Sequence, residues 1–174
     1  MFQFLYPTEY CGSTYSIDFQ SYYEKGYRGV IFDIDNTLVP HNAMNDERSL
    51  ALLEELRRIG FSICFVSNNK EPRVKNFVDE LHIDGLPDAQ YVYKAGKPKK
   101  DGYLQGMRIM GTKRKTTLFV GDQLFTDIWG ANNARLHSIL VKQIDKHEEI
   151  QIILKRILER PLIWWYLKKT GNHR

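Results

Sequence analysis

Between residues 29 and 141 the chain alternates short β-branched or apolar runs with segments of helical period, joined by short connections. Few folds accept that order. Residues 29–33 (Gly29-Val30-Ile31-Phe32-Asp33), 61–66, 89–93, 116–121 and 138–141 predict strands. Between them, Asp46 caps a helix running to about Ile59, with Leu50, Leu53 and Leu56 on one face and Gly60 ending it. Pro72 suits the first turn of a second helix whose apolar positions are Val74, Phe77, Val78 and Leu81. Residues 101–110 and 124–134 read as two more. Strand and helix in alternation with short links mean parallel pairing through right-handed crossovers. The expected fold is therefore α/β, an open parallel sheet of about five strands with helices on both faces. The chain divides into an aromatic lead-in that packs on the core (1–28), the core itself (29–146) and a helical basic and aromatic tail (147–174) broken at Pro161.

Bulk properties narrow the class. A chain of 174 residues builds one domain with a substantial core. Hydrophobic content of 43% with 26% charged residues is ordinary for a soluble protein, and no apolar run approaches the roughly 20 residues that span a bilayer. The start, Met1 to Tyr6, lacks a basic leader and a small-residue cleavage site, so the expected location is the cytoplasm. Cys64 sits in an apolar run and reads as a buried side chain, Cys11 lies in a Tyr/Ser/Gly stretch, and no disulfide or metal site is indicated. Net charge is +4 with a pI near 9.0, and the cations cluster at 94–100, at 113–115 and in the tail. A basic surface suits nucleic acid, anionic membrane or phosphorylated substrates, although an even simpler reading is a solvated face.

In open α/β sheets ligands bind beyond the carboxyl ends of the strands. Here the first strand ends in Asp33 and Asp35, the second in Ser67-Asn68-Asn69, the third leads to Lys94 and Lys97, and the fourth ends in Gly121-Asp122 with Asp127 soon after. Each alone reads as a turn, a loop or a helix cap. Together, in order and at successive strand ends, they read as a phosphoryl-transfer site. A carboxylate attacks phosphorus once a cation screens it from the phosphate oxygens, which gives Asp33 the nucleophile's role. Asp33 and Asp122 can hold that cation, and hard oxygen ligands suit Mg²⁺. Asp35 is placed to protonate the leaving alkoxide and then to deprotonate water. Ser67 Oγ and the Asn68 backbone N–H can donate to the equatorial oxygens, and Lys97 adds positive charge. Thr37 can tie down the turn and contact substrate, while Asp127 orients the metal site from behind.

Asp33-x-Asp35-x-Thr37, Ser67, Lys97 and Gly121-Asp122-x-x-x-x-Asp127 resemble the four motifs of the haloacid dehalogenase (HAD) superfamily of phosphohydrolases, over roughly residues 29–141. The resemblance implies a Rossmann-like sheet, Mg²⁺ dependence, Asp33 as nucleophile, Asp35 as acid/base and the Asp35 carbonyl as a further metal ligand. The second aspartate implies phosphatase or mutase chemistry. Many members insert a cap domain after the first or second motif. Residues 37–61 have room only for a loop and one helix, and residues 70–89 for one helix and a short loop, so no cap domain is expected.

An uncapped site is open to a macromolecule or to a headgroup presented by a membrane, or is covered by another subunit of a homo-oligomer. The tail bears on that choice. Ile150, Ile153, Leu154, Ile157 and Leu158 form a stripe at helical spacing that reads as core-facing. The tract Trp164-Trp165-Tyr166-Leu167-Lys168-Lys169 resembles an interfacial anchor, with packing on the chain's own sheet or in a dimer as the alternative. The whole chain, with its lead-in ending Lys25-Gly26-Tyr27-Arg28-Gly29, resembles the capless subfamily IIIA group of YqeG type, related to phosphatidylglycerophosphate phosphatases. That implies dephosphorylation of phosphatidylglycerophosphate to phosphatidylglycerol, with peripheral contact on the inner face of a membrane. The alternatives are a soluble phosphatase for a nucleotide, sugar phosphate or phosphoprotein, and a non-catalytic nucleic-acid or assembly module. The second is disfavoured because no acidic or donor position is lost.

Overall fold

The computed structural model describes residues 3–81, 90–146 and 150–171. The central strand, β2 (Gly29–Phe32), is buried at all four positions, as its apolar, β-branched run requires. It pairs in parallel with β3 (Ser62–Val66) on one side and β5 (Thr117–Gly121) on the other. β4 (Tyr91–Val92) extends the sheet beyond β3, and β6 (His137–Val141) beyond β5. The parallel open sheet is the expected one, but among the described residues it has six strands rather than about five, in the order β1-β6-β5-β2-β3-β4. The extra strand, β1 (Glu9–Cys11), comes from the aromatic lead-in and pairs with β6 from Glu9 opposite Ile139 to Cys11 opposite Val141. Three residues carry too little alternation to announce a strand; the open edge of β6 makes one.

Helices cover both faces. α1 (Phe19–Glu24), α2 (Glu47–Ile59) and α3 (Glu71–Asp79) lie on one, contributing Phe19, Leu53, Leu56 and Phe77 to a core with Phe32 and Phe65. α4 (Asp101–Met110) and α5 (Trp129–Asn133) lie on the other, where Tyr103, Met107 and Ala131 meet Ile31, Cys64 and Phe119. α2 begins with a reciprocal cap: Ser49 N–H donates to Asp46 Oδ1 at 2.7 Å and Asp46 N–H to Ser49 Oγ at 3.0 Å. It ends at Gly60, whose φ of 110° is costly for any side-chain-bearing residue. Its inward face carries Leu52, Leu53 and Leu56, with Leu50 only half-buried. The stretch predicted as one helix at 124–134 is a π-helical turn, Leu124–Ile128, that runs into α5. Nothing larger than α2 and its loop, or than α3 among the described residues, stands at the two points where a cap would be inserted.

Of the predicted third strand, Ala89 lies outside the described residues, as does the start of the tail at His147. α6 (Ile150–Thr170) follows as one helix, not a broken one. Pro161 removes one backbone hydrogen bond, but it lies on the solvent side, and the helix is anchored to the body on both sides of it, by Arg156 and Glu159 before and Tyr166 after. The stripe expected to face the core faces out: Ile150, Ile153, Leu154, Ile157 and Leu158 are 42–76% exposed. The inward positions are Arg156, Glu159 and Tyr166. The reason is electrostatic and lies on the sheet, where Asp122 needs a partner. Among the described residues no helix is long and apolar enough to cross a membrane. Both cysteines are free, and Cys64 is buried.

Candidate active site

The strand register decides which residues meet. Phe32 lies opposite both Phe65 and Val120, so the residues that follow β2, β3 and β5 emerge together at the carboxyl edge. Asp33 N–H still donates to Val120 C=O at 3.0 Å and Ser67 N–H to Val92 C=O at 2.9 Å, which holds Asp33 and Ser67 at the ends of the ladders. Immediately after Asp33 the chain turns back: Leu38 N–H donates to Ile34 C=O at 3.0 Å and Asn36 N–H to Val39 C=O at 2.7 Å. Asn36 sits at φ 62°, a left-handed conformation that asparagine tolerates better than most residues.

Lys97 is the hub. Its buried Nζ donates to Asp33 Oδ1 at 2.5 Å and to Asp127 Oδ1 at 2.7 Å. Asp127 Oδ2 accepts the backbone N–H groups of Asp122 (3.2 Å) and Gln123 (3.0 Å), so both of its oxygens are engaged. That reach-back explains Gly121. A Cβ there would stand 2.7–2.8 Å from the Asp127 side chain. Asp122 Oδ1 accepts Thr37 Oγ1–H at 3.2 Å, and Arg156 Nη2 donates to Asp122 Oδ2 while Nη1 donates to its carbonyl at 3.1 Å. Ligand oxygens of Asp33, Asp122 and Asp127 all lie within 4.8 Å of one another. Three buried carboxylates thus face two cations, Lys97 and Arg156. Burial pushes Asp33 well above the usual carboxylate range; Lys97 opposes the shift, and Asp127 and Asp122 add to it. Burial alone would lower Lys97, but Asp127 and Asp33 raise it and keep it an ammonium. The remaining negative charge and the all-oxygen donor set fit a hard divalent cation.

Asp35 stands apart from this group, in the same pocket. Its Oδ1 accepts Asn42 N–H at 2.7 Å and Arg73 Nη2–H at 3.0 Å, and its Oδ2 accepts Asn69 Nδ2–H at 2.6 Å. Ser67 Oγ is buried and accepts Asn69 N–H at 3.1 Å, which leaves its own hydrogen for a ligand. Asn68 works through its side chain: Nδ2 donates to Lys97 C=O at 3.1 Å and Oδ1 accepts Lys97 N–H at 2.8 Å, clamping the lysine's backbone. Thr37 is turned towards Asp122, and its carbonyl accepts Thr14 Oγ1–H at 2.7 Å, which ties the lead-in to the turn. The resulting pocket, about 150 Å³, is lined by Asp33, Asp35, Ser67 and Lys97, with His41 and Lys155 at its walls. A larger cleft of about 930 Å³ lies at the opposite end of the sheet, among Leu104, Met107, Arg108 and Lys113, and holds none of these groups.

Three contributors carried no local sequence signal: Arg73, Arg156 and Glu159. In the sequence Arg156 and Glu159 are charges set within an aliphatic stripe, with nothing local to mark them. Instead Arg156 joins Asp122, and Glu159 Oε1 accepts Phe125 N–H at 2.9 Å at the start of the π-helical turn. Only the spacing of the pair, three residues apart on one helical face, hints at a shared direction.

Comparison with known proteins agrees with this geometry. Residues 41–135 match the haloacid dehalogenase-like hydrolase family, a span that includes Ser67, Lys97, Asp122 and Asp127 and begins after Asp33. The Bacillus subtilis (strain 168) protein described as "Probable phosphatase YqeG" is 33% identical over 171 residues, covering 98% of this chain and 95% of its own. Among solved structures, a single mutant of a thermostable NPPase from Geobacillus stearothermophilus superposes with a TM-score of 0.53 at 14% identity, covering 71% of this chain and 94% of that one. NagD from E. coli K-12 gives a TM-score of 0.53 at 14% identity, covering 73% and 91%. These two speak to the fold alone. The family match over more than half the chain, with a relative aligned along almost all of it, places this protein in the haloacid dehalogenase-like hydrolases, as a phosphatase of YqeG type.

Proposed function

We propose that the protein is a Mg²⁺-dependent phosphomonoester hydrolase that works through an aspartyl phosphate on Asp33. The observation that carries this reading is Lys97 bridging Asp33 and Asp127 at the carboxyl edge of the sheet, with Asp122 alongside. Asp33 and Asp122, with the Asp35 carbonyl, would hold the cation, and Asp127, with both oxygens occupied, supports them from behind. Bound Mg²⁺ would screen the phosphate oxygens from the attacking carboxylate. An Asp33 oxygen forms a bond to phosphorus as the ester P–O bond breaks, and Asp35 gives its proton to the departing alkoxide. A water then attacks the same phosphorus, passes a proton back to Asp35, and releases inorganic phosphate and the Asp33 carboxylate. Ser67 Oγ–H, the Asn68 backbone N–H and Lys97 donate to the equatorial oxygens. The Asn68 side chain positions Lys97, and Thr37 orients Asp122.

The substrate we propose is a phosphorylated lipid headgroup, phosphatidylglycerophosphate, converted to phosphatidylglycerol at the surface of an anionic membrane. Two features support this: no cap-sized insertion stands over the pocket among the described residues, and the wall formed by α6 turns an apolar face outward. Trp164 and Trp165 are 61% and 48% exposed, with Lys168 and Lys169 over their rings at 5.1 and 5.5 Å. An exposed apolar patch of this kind marks an interaction surface, and aromatic rings with neighbouring cations suit a headgroup layer.

The test is phosphate release from phosphatidylglycerophosphate vesicles and from soluble esters, with Mg²⁺ or EDTA. Turnover should need Mg²⁺ and disappear in Asp33→Asn, because an amide is a poor nucleophile. Activity retained in that variant ends the covalent mechanism. Flotation with anionic liposomes should fall in a Trp164→Ala/Trp165→Ala double variant; a wild-type protein that never floats, and prefers soluble esters, removes the lipid reading.

A further inference from the structure

We propose that Lys155 and His41 form a second anion subsite at the mouth of the catalytic pocket, selecting phosphomonoesters whose leaving group carries a further phosphate. The inference rests on the phosphoester chemistry above and narrows its substrate. Every acidic side chain lining the pocket is answered within the protein: Asp33 by Lys97, and Asp35 by Arg73. Lys155 is the exception among the cations. It lines the same cavity and makes no hydrogen bond or ion pair among the described residues. On the wall formed by the loop after β2, His41 lines the cavity, and its buried Nε2 has no hydrogen-bond partner among the described residues. A buried ring nitrogen left unmatched costs free energy unless a ligand or water meets it. One cavity is therefore lined by Lys155 and His41 together, beyond the groups that hold the reacting phosphate.

Lys155 is held there. Arg156, the next residue, is bonded to both the carboxylate and the carbonyl of Asp122, and Glu159 accepts Phe125 N–H one turn on. Ile152, three residues before Lys155 and on the same helical face, lines the pocket with it. α6 thus stands as a wall where a cap would otherwise close. The cavity of about 150 Å³ equals roughly five waters by their share of liquid volume. That is room for one phosphoryl group and a few carbons, so a second charge on the leaving group falls at the rim, beside Lys155.

The experiment compares kcat/KM for a propanediol bisphosphate and for the corresponding monophosphate, in wild type and Lys155→Glu. The wild type should prefer the bisphosphate, and Lys155→Glu should cut that preference about tenfold or more, mostly through KM, as expected for a partly exposed charge-assisted contact. Equal losses on both esters, or no preference in the wild type, overturn the subsite. A binding readout separates this from the phosphatase reading. Isothermal titration of the bisphosphate into Asp33→Asn and into Asp33→Asn/Lys155→Glu should differ about tenfold in Kd; equal affinities overturn the subsite even if no ester is turned over. Failure of every ester to release phosphate, with the binding difference intact, would instead count against the catalytic reading.

Discussion

Arg156→Met is the perturbation that best separates the roles of the two cations in the site. The substitution keeps the helical propensity and much of the length of the side chain but takes the guanidinium away from the buried Asp122 carboxylate, which still accepts Thr37 Oγ1–H. Removing one partner of a buried ion pair costs about 3–5 kcal/mol, because an uncompensated charge stays behind. Arg156 is slightly open to solvent, so we expect the lower end, ~3 kcal/mol in EDTA. For a chain of this size that is a fall in Tm of roughly 6–12 °C. Saturating Mg²⁺ should return about half of the loss, because a bound cation takes over the neutralisation of Asp122. By linkage the same energy must appear in binding: half of the loss, about 1.4 kcal/mol, is a tenfold tighter Mg²⁺ Kd in the variant. Urea denaturation with and without Mg²⁺, together with isothermal titration of Mg²⁺, measures both sides of that cycle. A loss below about 1 kcal/mol in EDTA, or Mg²⁺ binding that weakens in the variant, would refute the claim that Arg156 neutralises Asp122.

Two further outcomes follow from the same geometry. Burial pushes Glu159 up to about 7, against the Phe125 N–H and Arg156, which pull it down, and with Asp127 adding to the rise. The folded state therefore holds this proton longer than the unfolded chain, whose carboxyl ionises near 4.5. The contribution is full below that value and is lost as pH rises through about 7, on the order of 3 kcal/mol. Glu159→Gln, which can still accept Phe125 N–H, should match wild type at pH 5 and exceed it at pH 8 in urea melts; parallel stability profiles would contradict this. Gly121→Ala puts a Cβ 2.7–2.8 Å from the Asp127 side chain. It should cost about 1–3 kcal/mol and lower kcat/KM on the order of a hundredfold by displacing the carboxylate that holds Lys97. Wild-type stability together with wild-type turnover would show that the contact is not tight.

The alternation of apolar runs and helical periods was enough to predict a parallel open sheet, because strands buried on both faces and joined by helices have few other solutions. The polar residues ending those runs were visible for the same reason: a register that aligns Phe32 with Phe65 and Val120 brings whatever follows each strand to one edge. The sixth strand was hidden, since Glu9-Tyr10-Cys11 has no pattern of its own and is a strand only because β6 offers an unpaired edge.

The largest departure is α6. Periodicity reports which residues could share a buried face, and in residues 150–158 it pointed to the aliphatic stripe. It cannot report what that face would meet. The sheet presents a buried carboxylate, Asp122, and a helix end at Phe125, so the polar pair Arg156 and Glu159 turns inward and the stripe turns out. Local pattern thus carried the strands and the polar groups at their ends, among them Asp33, Asp35, Ser67, Lys97 and Asp122. Tertiary contact alone decided that Lys97 bridges Asp33 and Asp127, that Asn68 serves through its side chain, and that the tail walls the pocket. Each of these depends on a charge or donor far away in the chain, which no local spacing encodes.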